Sequence, residues 1–415
     1  YFENASLWRK FGQSVLEREC LRQILPDGGS YEYSSTYLSF VFDFFLLFKI
    51  VCDNQGIEYD RAIDQRLEKS CEYIHGLMDE QGNMPNIGDQ DSAVLINFGL
   101  DNHRNFSSIL NTGGILFNRP DFLQNNFPDL KTLILLGQNN CQGFEHKQQP
   151  LEAVAYKPAS AKASLLRESG LGVIKGNIAG YALCFVGNAT PLGMPPLYAH
   201  GHLDALSFYL SLDGREIFID PGTYLYHCGG KWRRYFRSTA AHNTIRINQQ
   251  DLTDMPGDFM FGRPYAITNH ELIRKNDITI WKASHDAYQH TKNPVFLKRE
   301  ISVEWKSSRI FLMDSITIPA NSKCLAEFFF HLHPDCSVEI SDNAASIHNQ
   351  DKTLVLHFDQ RLKLKLFKGS EEPLAGWYSK AFNHLVECFT LVAAGNLFES
   401  GVIQTEIEIH PQTTK

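Results

Sequence analysis

At 415 residues the chain is too long for one ordinary hydrophobic core, and two domains are the natural expectation. Hydrophobic residues make up 43% of it, including 29 Phe and 16 Tyr, enough for a large core. A formal net charge of −8 argues against nucleic acid as a main partner.

Residues 1–150 read as helical. Glu3 to Arg22 carries an amphipathic pattern in Leu7, Phe11, Val15, Leu16 and Cys20, and Pro26-Asp27-Gly28-Gly29 is a loop. Tyr37 to Val51 is apolar almost all round. It falls short of the ~20 apolar residues of a membrane span and is broken by Asp43 and Lys49, so it reads as a buried helix and not a transmembrane segment. Ala62 to Asp79 forms another helix, with Ile63, Leu67, Cys71, Ile74 and Leu77 on one side. Asn105 to Leu116 and Asp121 to Leu136 supply further helices. Pro150 to Ala163 is a weakly patterned connection, and from Ser164 the texture turns to strand. LLRESGLGVIKG, YALCFVGNA, ITIWKASHDAY, CLAEFFFHLHP and KTLVLHF are examples. Such strands in series imply antiparallel sheets stacked as a sandwich over residues 151–415. His331 and His333 share a strand face and read as sheet support rather than a second polar site. The nine cysteines are odd in number and scattered without a CxxC, which points to free, mostly buried thiols. Cys228, beside His227, reads as a loop residue rather than a ligand.

Polar groups of the kind that do chemistry crowd between Tyr198 and Thr244. Leu206 to Leu212 alternates as a half-buried strand, Asp213-Gly214 is a hairpin turn, and the return strand stops at Asp220-Pro221-Gly222. A hairpin brings its open ends together, so His202 and Asp220 should be near neighbours. With His242 they make a donor set that suits zinc, although a hydrogen-bonded polar cluster would have the same composition. Lys231, Arg233, Arg234, Arg237 and Arg246 form a basic run beside it, read as facing an anionic substrate rather than as a merely solvated face.

HGHLDALSFYLSLDGREIFIDPGTY followed by RSTAAHNT resembles the core signature of the heparinase II/III-like polysaccharide lyases. The resemblance implies an incomplete (α/α) toroid followed by a large antiparallel β-sandwich. It also implies zinc on His202, Asp220 and His242, with His200 and Tyr224 acting on the sugar. SYEYSSTY resembles the family's YEQSxxY element, whose last tyrosine, the general acid/base, falls on Tyr37. Tyr33 stands where the family has glutamine. Glu32 in this element, Arg237 in the basic run and Asn243 in AHNT are then candidate substrate contacts. GDQDS, with Asp89 and Asp91, is similar to a turn found at the family's cleft, where it would meet metal or sugar hydroxyls; a solvated loop or helix cap is the equal alternative.

The implied reaction is β-elimination on a uronic-acid polysaccharide, with Tyr37 as acid and a candidate base, His200 as the other base or a stabiliser, and zinc in a structural role. A non-catalytic polysaccharide-binding protein of capsule or exopolysaccharide assembly is the rival reading, and a glycoside hydrolase is the third. Hydrolysis would need two carboxylates straddling the bond, and Asp89 and Asp91 on one turn are too close for that. The family's carboxylate-neutralising Asn-His element would lie well upstream of Tyr37; only 36 residues precede it and none match. A periplasmic or secreted setting is implied, with the cytoplasm left open by the free cysteines.

Overall fold

The computed structural model describes residues 2–96, 98, 106–144, 161–227 and 229–412. The first part is helical. Helix α1 (Ala5–Gln23) buries only Cys20 among its residues. The expected stripe at Leu7 and Phe11 is exposed, because among the described residues no element packs over that side. Helix α2 (Ser35–Gln55) starts at Ser34, whose hydroxyl accepts from the Tyr37 amide, and ends at Gly56 with φ +64. By length and composition α2 would pass for a membrane span, but 56% of its most apolar window is buried inside the protein. Its two internal charges are met within the helical layer. Asp43 accepts from Lys131 at 2.6 Å, both buried, and Lys49 lies 2.7 Å from Asp53 and 3.0 Å from Asp64. Helix α3 (Ala62–Leu77) buries the predicted Ile63, Leu67, Cys71, Ile74 and Leu77.

Helix α4 (Ser107–Leu116) follows; its expected start at Asn105 lies outside the described residues. The single helix expected over Asp121 to Leu136 is two pieces, a 3₁₀ turn at Pro120–Phe122 and α5 (Leu130–Leu136). Pro128 cannot sit inside a helix, and Asp129 restarts the chain by capping the Thr132 amide. Helix α6 (Gln138–Gln142) closes this part. The expected boundary at 150/151 falls on residues outside the description.

Next comes a five-stranded antiparallel sheet in sequential order: β1 (Lys162–Leu166), β2 (Leu171–Ile178), β3 (Tyr181–Asn188), β4 (Phe208–Leu212) and β5 (Arg215–Phe218). Asp213 and Gly214 turn the β4–β5 hairpin with positive φ at both, +51 and +69, which matches the twist of the flanking strands. Every residue of β4 is buried, not one face as expected. Phe208, Leu210 and Leu212 belong to the sandwich core, whereas Tyr209 joins Leu171, Val173, Cys184 and Val186 in the core of the helical half. The sheet is thus a wall shared by both halves.

Behind it lie an eight-stranded antiparallel sheet, built from strands between Ile267 and Ile409, and a four-stranded one that includes Ile245–Ile247 and Cys324–His331. Trp281 of the large sheet is fully buried and lies on Gly172 and Gly187 of β2 and β3, where no side chain would fit. Cys20, Cys52, Cys71, Cys141, Cys184, Cys324, Cys336 and Cys388 are all free and buried; Cys228 is outside the described residues.

Candidate active site and metal centre

His202 and Asp220 do come together, but not by pairing: β4 starts only at Phe208, and a turn at Asp204–Ser207, with Leu206 at φ +63, folds His202 back to the open end of the β4–β5 hairpin. After it come helix α7 (Lys231–Arg237) and a 3₁₀ turn at Thr239–Ala241 that delivers His242. One donor atom from each of His202, Asp220 and His242 falls within 4.8 Å of the others. Asp220 accepts from the Gly222 amide at 3.0 Å and lies 2.7 Å from His242 Nδ1. Nδ1 of His202 and Nε2 of His242 are buried and unpartnered. A buried, unpartnered His202 Nδ1 grouped with the Asp220 carboxylate and the His242 imidazole is what a metal would satisfy, so these residues fit a bound cation. Burial pushes the His202 imidazole below its ordinary pKa. Burial also works against charge on His242, but Asp220 overcomes it and holds that pKa up.

Asn243 locks this geometry. Its amide donates to Phe208 O at 2.8 Å and Ile219 O at 3.0 Å, one carbonyl from each arm of the hairpin, and its Oδ1 accepts from the His331 amide at 2.6 Å. Asn243 is 2% exposed. Its expected role as a substrate contact is therefore corrected: the amide is consumed inside the fold. His331 supports the same region, with one ring nitrogen on Ala240 O and the other on the Thr390 hydroxyl. Burial pushes its pKa down to about 3.

The GDQDS turn reaches this cluster from the helical half. Gly88 has φ +63, and a Cβ there would lie 2.6 Å from both His200 O and Tyr33 O. That close approach lets the Asp89 amide donate to His200 O at 2.9 Å, while Asp89 O accepts from Ser34 at 2.7 Å and Thr36 at 3.2 Å. The Asp89 carboxylate is wholly buried. It receives both NH₂ groups of Arg233, His200 Nδ1 at 3.3 Å and His202 Nε2 at 3.0 Å. Burial alone would raise its pKa; Arg233, helped by the two histidines, reverses this and holds the carboxyl well below the usual range. A solvated loop is thereby excluded for Asp89. Asp91 accepts the Tyr37 hydroxyl at 3.0 Å.

Tyr37 stands beside the first histidine of HGH, with ring centroids 4.3 Å apart, and its hydroxyl lies 3.0 Å from that of Tyr226. Burial pushes the Tyr37 pKa up, with Asp91 adding to the rise against the opposing Tyr226 hydrogen bond. Phe259 closes one side, 6.3 Å from the His200 ring and 5.3 Å from Tyr226. Tyr226, not Tyr224, meets Tyr37. Tyr224 adopts φ +67 and packs instead on Trp232 and Phe236. The two tyrosines are two residues apart, and an extended chain would have aimed both the same way; the left-handed residue separates them. Glu32 is half-buried near His200, with its pKa raised by burial and eased back by that histidine.

The basic run does not form an open patch. Arg233 is spent on Asp89, with its Nε on Asp258 O at 3.0 Å. Arg237, expected to touch substrate, is 1% exposed and donates to Gly257 O at 2.8 Å and Met260 O at 3.3 Å. Arg246 pairs with Glu327 and Lys231 with Glu371; Arg234 is exposed. Arg233 and Arg237 are four apart on one turn of α7, so they share its inward face, a spacing that was readable in advance.

Residues 158–410 match the family model described as heparinase II/III-like, C-terminal, and residues 1–107 match that of the heparinase II/III N-terminus. The chain belongs to the heparinase II/III-like family. It is 25% identical over 258 residues to a heparin-sulfate lyase of Bacteroides stercoris, which covers 60% of this chain and 33% of that protein. The crystal structure of heparan sulfate lyase from Pedobacter heparinus superposes with a TM-score of 0.71 at 16% identity, covering 100% of this chain and 58% of that one. A heparinase III crystal structure gives 0.68 at 15% identity, covering 100% and 59%. The chain thus spans about a third of the curated relative and under two thirds of these solved structures. The fold is an incomplete (α/α) toroid followed by a large antiparallel β-sandwich.

Proposed function

We propose that this chain carries the reaction centre of a polysaccharide lyase that cleaves a uronic-acid polymer by β-elimination. The observation that carries the reading is the meeting of Tyr37 from the helical half with His200 from the β half, at 4.3 Å between ring centroids, directly beside the His202/Asp220/His242 group. Family membership and the names of the relatives support an anionic polysaccharide as substrate.

His200 takes the C5 proton of the uronate. The electron pair left on C5 forms the C4=C5 bond, the C4–O4 bond breaks, and the Tyr37 hydroxyl gives its proton to O4. The high pKa of Tyr37 suits an acid that is fully protonated before the step, so Tyr37 is the acid and His200 the base. Water is not consumed. His200 and Tyr37 return to their starting states by proton exchange with solvent. His202, Asp220 and His242 would hold zinc, which when bound ties the hairpin ends to the His242 segment and so fixes His200. Hydrolysis is disfavoured because Asp89 is spent on Arg233 and two histidines while Asp91 accepts from Tyr37, so neither carboxylate of this turn is free to flank a glycosidic bond. A periplasmic or secreted setting goes with this substrate.

The test is ultraviolet absorbance of the conjugated unsaturated uronate, measured across a panel of uronate polymers. A rise that vanishes in Tyr37→Phe and His200→Ala is the expected result. New reducing ends without absorbance, or binding without either signal, would sink the reading. Metal analysis of wild type against His202→Ala tests zinc separately, with about one equivalent expected only in the wild type.

A further inference from the structure

Asp89 is used by neither the proton transfers nor the metal group, yet its side chain hydrogen-bonds to both histidines of HGH. Its carboxylate is clamped by two parallel donors from Arg233, an arrangement that demands the ionised form. An ionised carboxylate only accepts hydrogen bonds. Each ring nitrogen facing it must therefore carry a hydrogen. Oδ2 faces Nδ1 of His200 and Oδ1 faces Nε2 of His202. The two imidazoles are turned in opposite senses: one presents its δ nitrogen and the other its ε nitrogen to the same anion.

We propose that Asp89 is a positioning residue that fixes the tautomers of both histidines at once. It holds His200 as the Nδ1–H form, which leaves the Nε2 lone pair for the substrate proton, and His202 as the Nε2–H form, which leaves the Nδ1 lone pair for the metal group. The unpartnered, buried Nδ1 of His202 is the independent sign of the second half of this arrangement. The two rings also differ in access: the His200 side chain is 22% exposed and that of His202 is 0% exposed, as suits one ring that meets substrate and one that does not. Asp89 comes from the helical half, and both histidines and Arg233 come from the β half. The base is therefore oriented only when the two halves are docked. Arg233 acts at one further remove. It supplies the charge that keeps Asp89 an acceptor, and it holds the Phe259 loop through Asp258 O.

The assignment of His200 as base rests on the lyase reading; the tautomers do not, and they can be measured alone. Full-length protein loaded with zinc and labelled with ¹⁵N-histidine is compared by NMR with His200→Gln and His202→Gln to assign the two rings. The wild type is expected to show hydrogen on Nδ1 of His200 and on Nε2 of His202. In Asp89→Asn the residue keeps its size but one of its two positions becomes a donor. The His200 signal should then move to the Nε2–H form or to a mixture, kcat should fall about 10²–10⁴-fold with KM changed far less, and zinc affinity should fall about 10–100-fold. A wild-type His200 carrying its hydrogen on Nε2 overturns the proposal, and this holds even if Asp89→Asn does not fold. An unchanged His200 tautomer in a folded Asp89→Asn overturns it too. If the wild type makes no unsaturated product but shows the two expected tautomers, the lyase reading fails while the role of Asp89 stands.

Discussion

Strand β4 and helix α1 lie at opposite extremes of burial. All five residues of β4 are enclosed, because the helical half covers one face of its sheet and the sandwich core covers the other. Helix α1 buries Cys20 alone and leaves Leu7 64%, Trp8 58% and Phe11 70% exposed. The contrast shows where the fold is held. Among the described residues the shared sheet contributes to both cores, and the candidate reaction groups sit near its open hairpin end, where helical-half loops reach them.

The sharpest break in function should come without touching that wall. Tyr37→Phe removes one hydroxyl at its edge, along with its hydrogen bonds to Asp91 and Tyr226. If this tyrosine is the acid, kcat on a uronate polymer should drop about 10²–10⁴-fold, equivalent to roughly 3–5 kcal/mol of barrier. Thermal melting and zinc content should stay near wild type. A drop of less than tenfold would remove Tyr37 from the chemistry.

Trp281→Ala attacks the wall from behind. The indole is fully buried, lies on Gly172 and Gly187, and meets Phe185 at 6.4 Å. Its loss should cost about 3–5 kcal/mol in denaturant unfolding. Because the same sheet carries the helical core on its other face, helical signal and sandwich signal should be lost together. Separate transitions would show that the two halves do not share the wall energetically. Gly187→Ala is the smaller version of this test. The new Cβ would lie 2.4 Å from Trp281 Cδ2, so the ring or the strand must move, at about 1–3 kcal/mol.

The same contrast explains what could be read from the chain alone. The hairpin was legible because Asp213-Gly214 and the alternation on either side specify pairing locally, but pairing brings Phe208, not His202, opposite Asp220; the turn at Asp204–Ser207, with Leu206 at φ +63, folds His202 back to it. That both faces of β4 would be covered was not legible: alternation reports which residues share a face and says nothing about what packs on it. The Asp89 junction was half legible. The turn was visible, but the burial of its first carboxylate depends on Arg233, 144 residues away in sequence, and the two segments meet only in the folded chain. Arg237 and Asn243 misled for a related reason. Charge and amide groups near a site look like ligand contacts until the carbonyls they satisfy are known, here Gly257, Met260, Phe208 and Ile219. Tyr224 was misjudged because one left-handed residue redirects a strand-like run.

The smallest effect is expected on α1, and its size is informative. A large-to-small change in a core costs several kcal/mol because transfer free energy and a cavity term both act. On the outer side of α1 neither applies: Leu7 and Phe11 leave no cavity in the described fold when truncated, and their apolar surface already faces solvent. Leu7→Ser and Phe11→Ser together should therefore shift unfolding by at most about 0.5 kcal/mol each, mainly through helix propensity. The pair should also reduce self-association, since adjacent exposed apolar side chains form a sticky patch. Sedimentation and denaturant unfolding of the double variant measure both. A loss of several kcal/mol would mean that this side of α1 is covered in the folded protein, and the contrast with β4 would disappear.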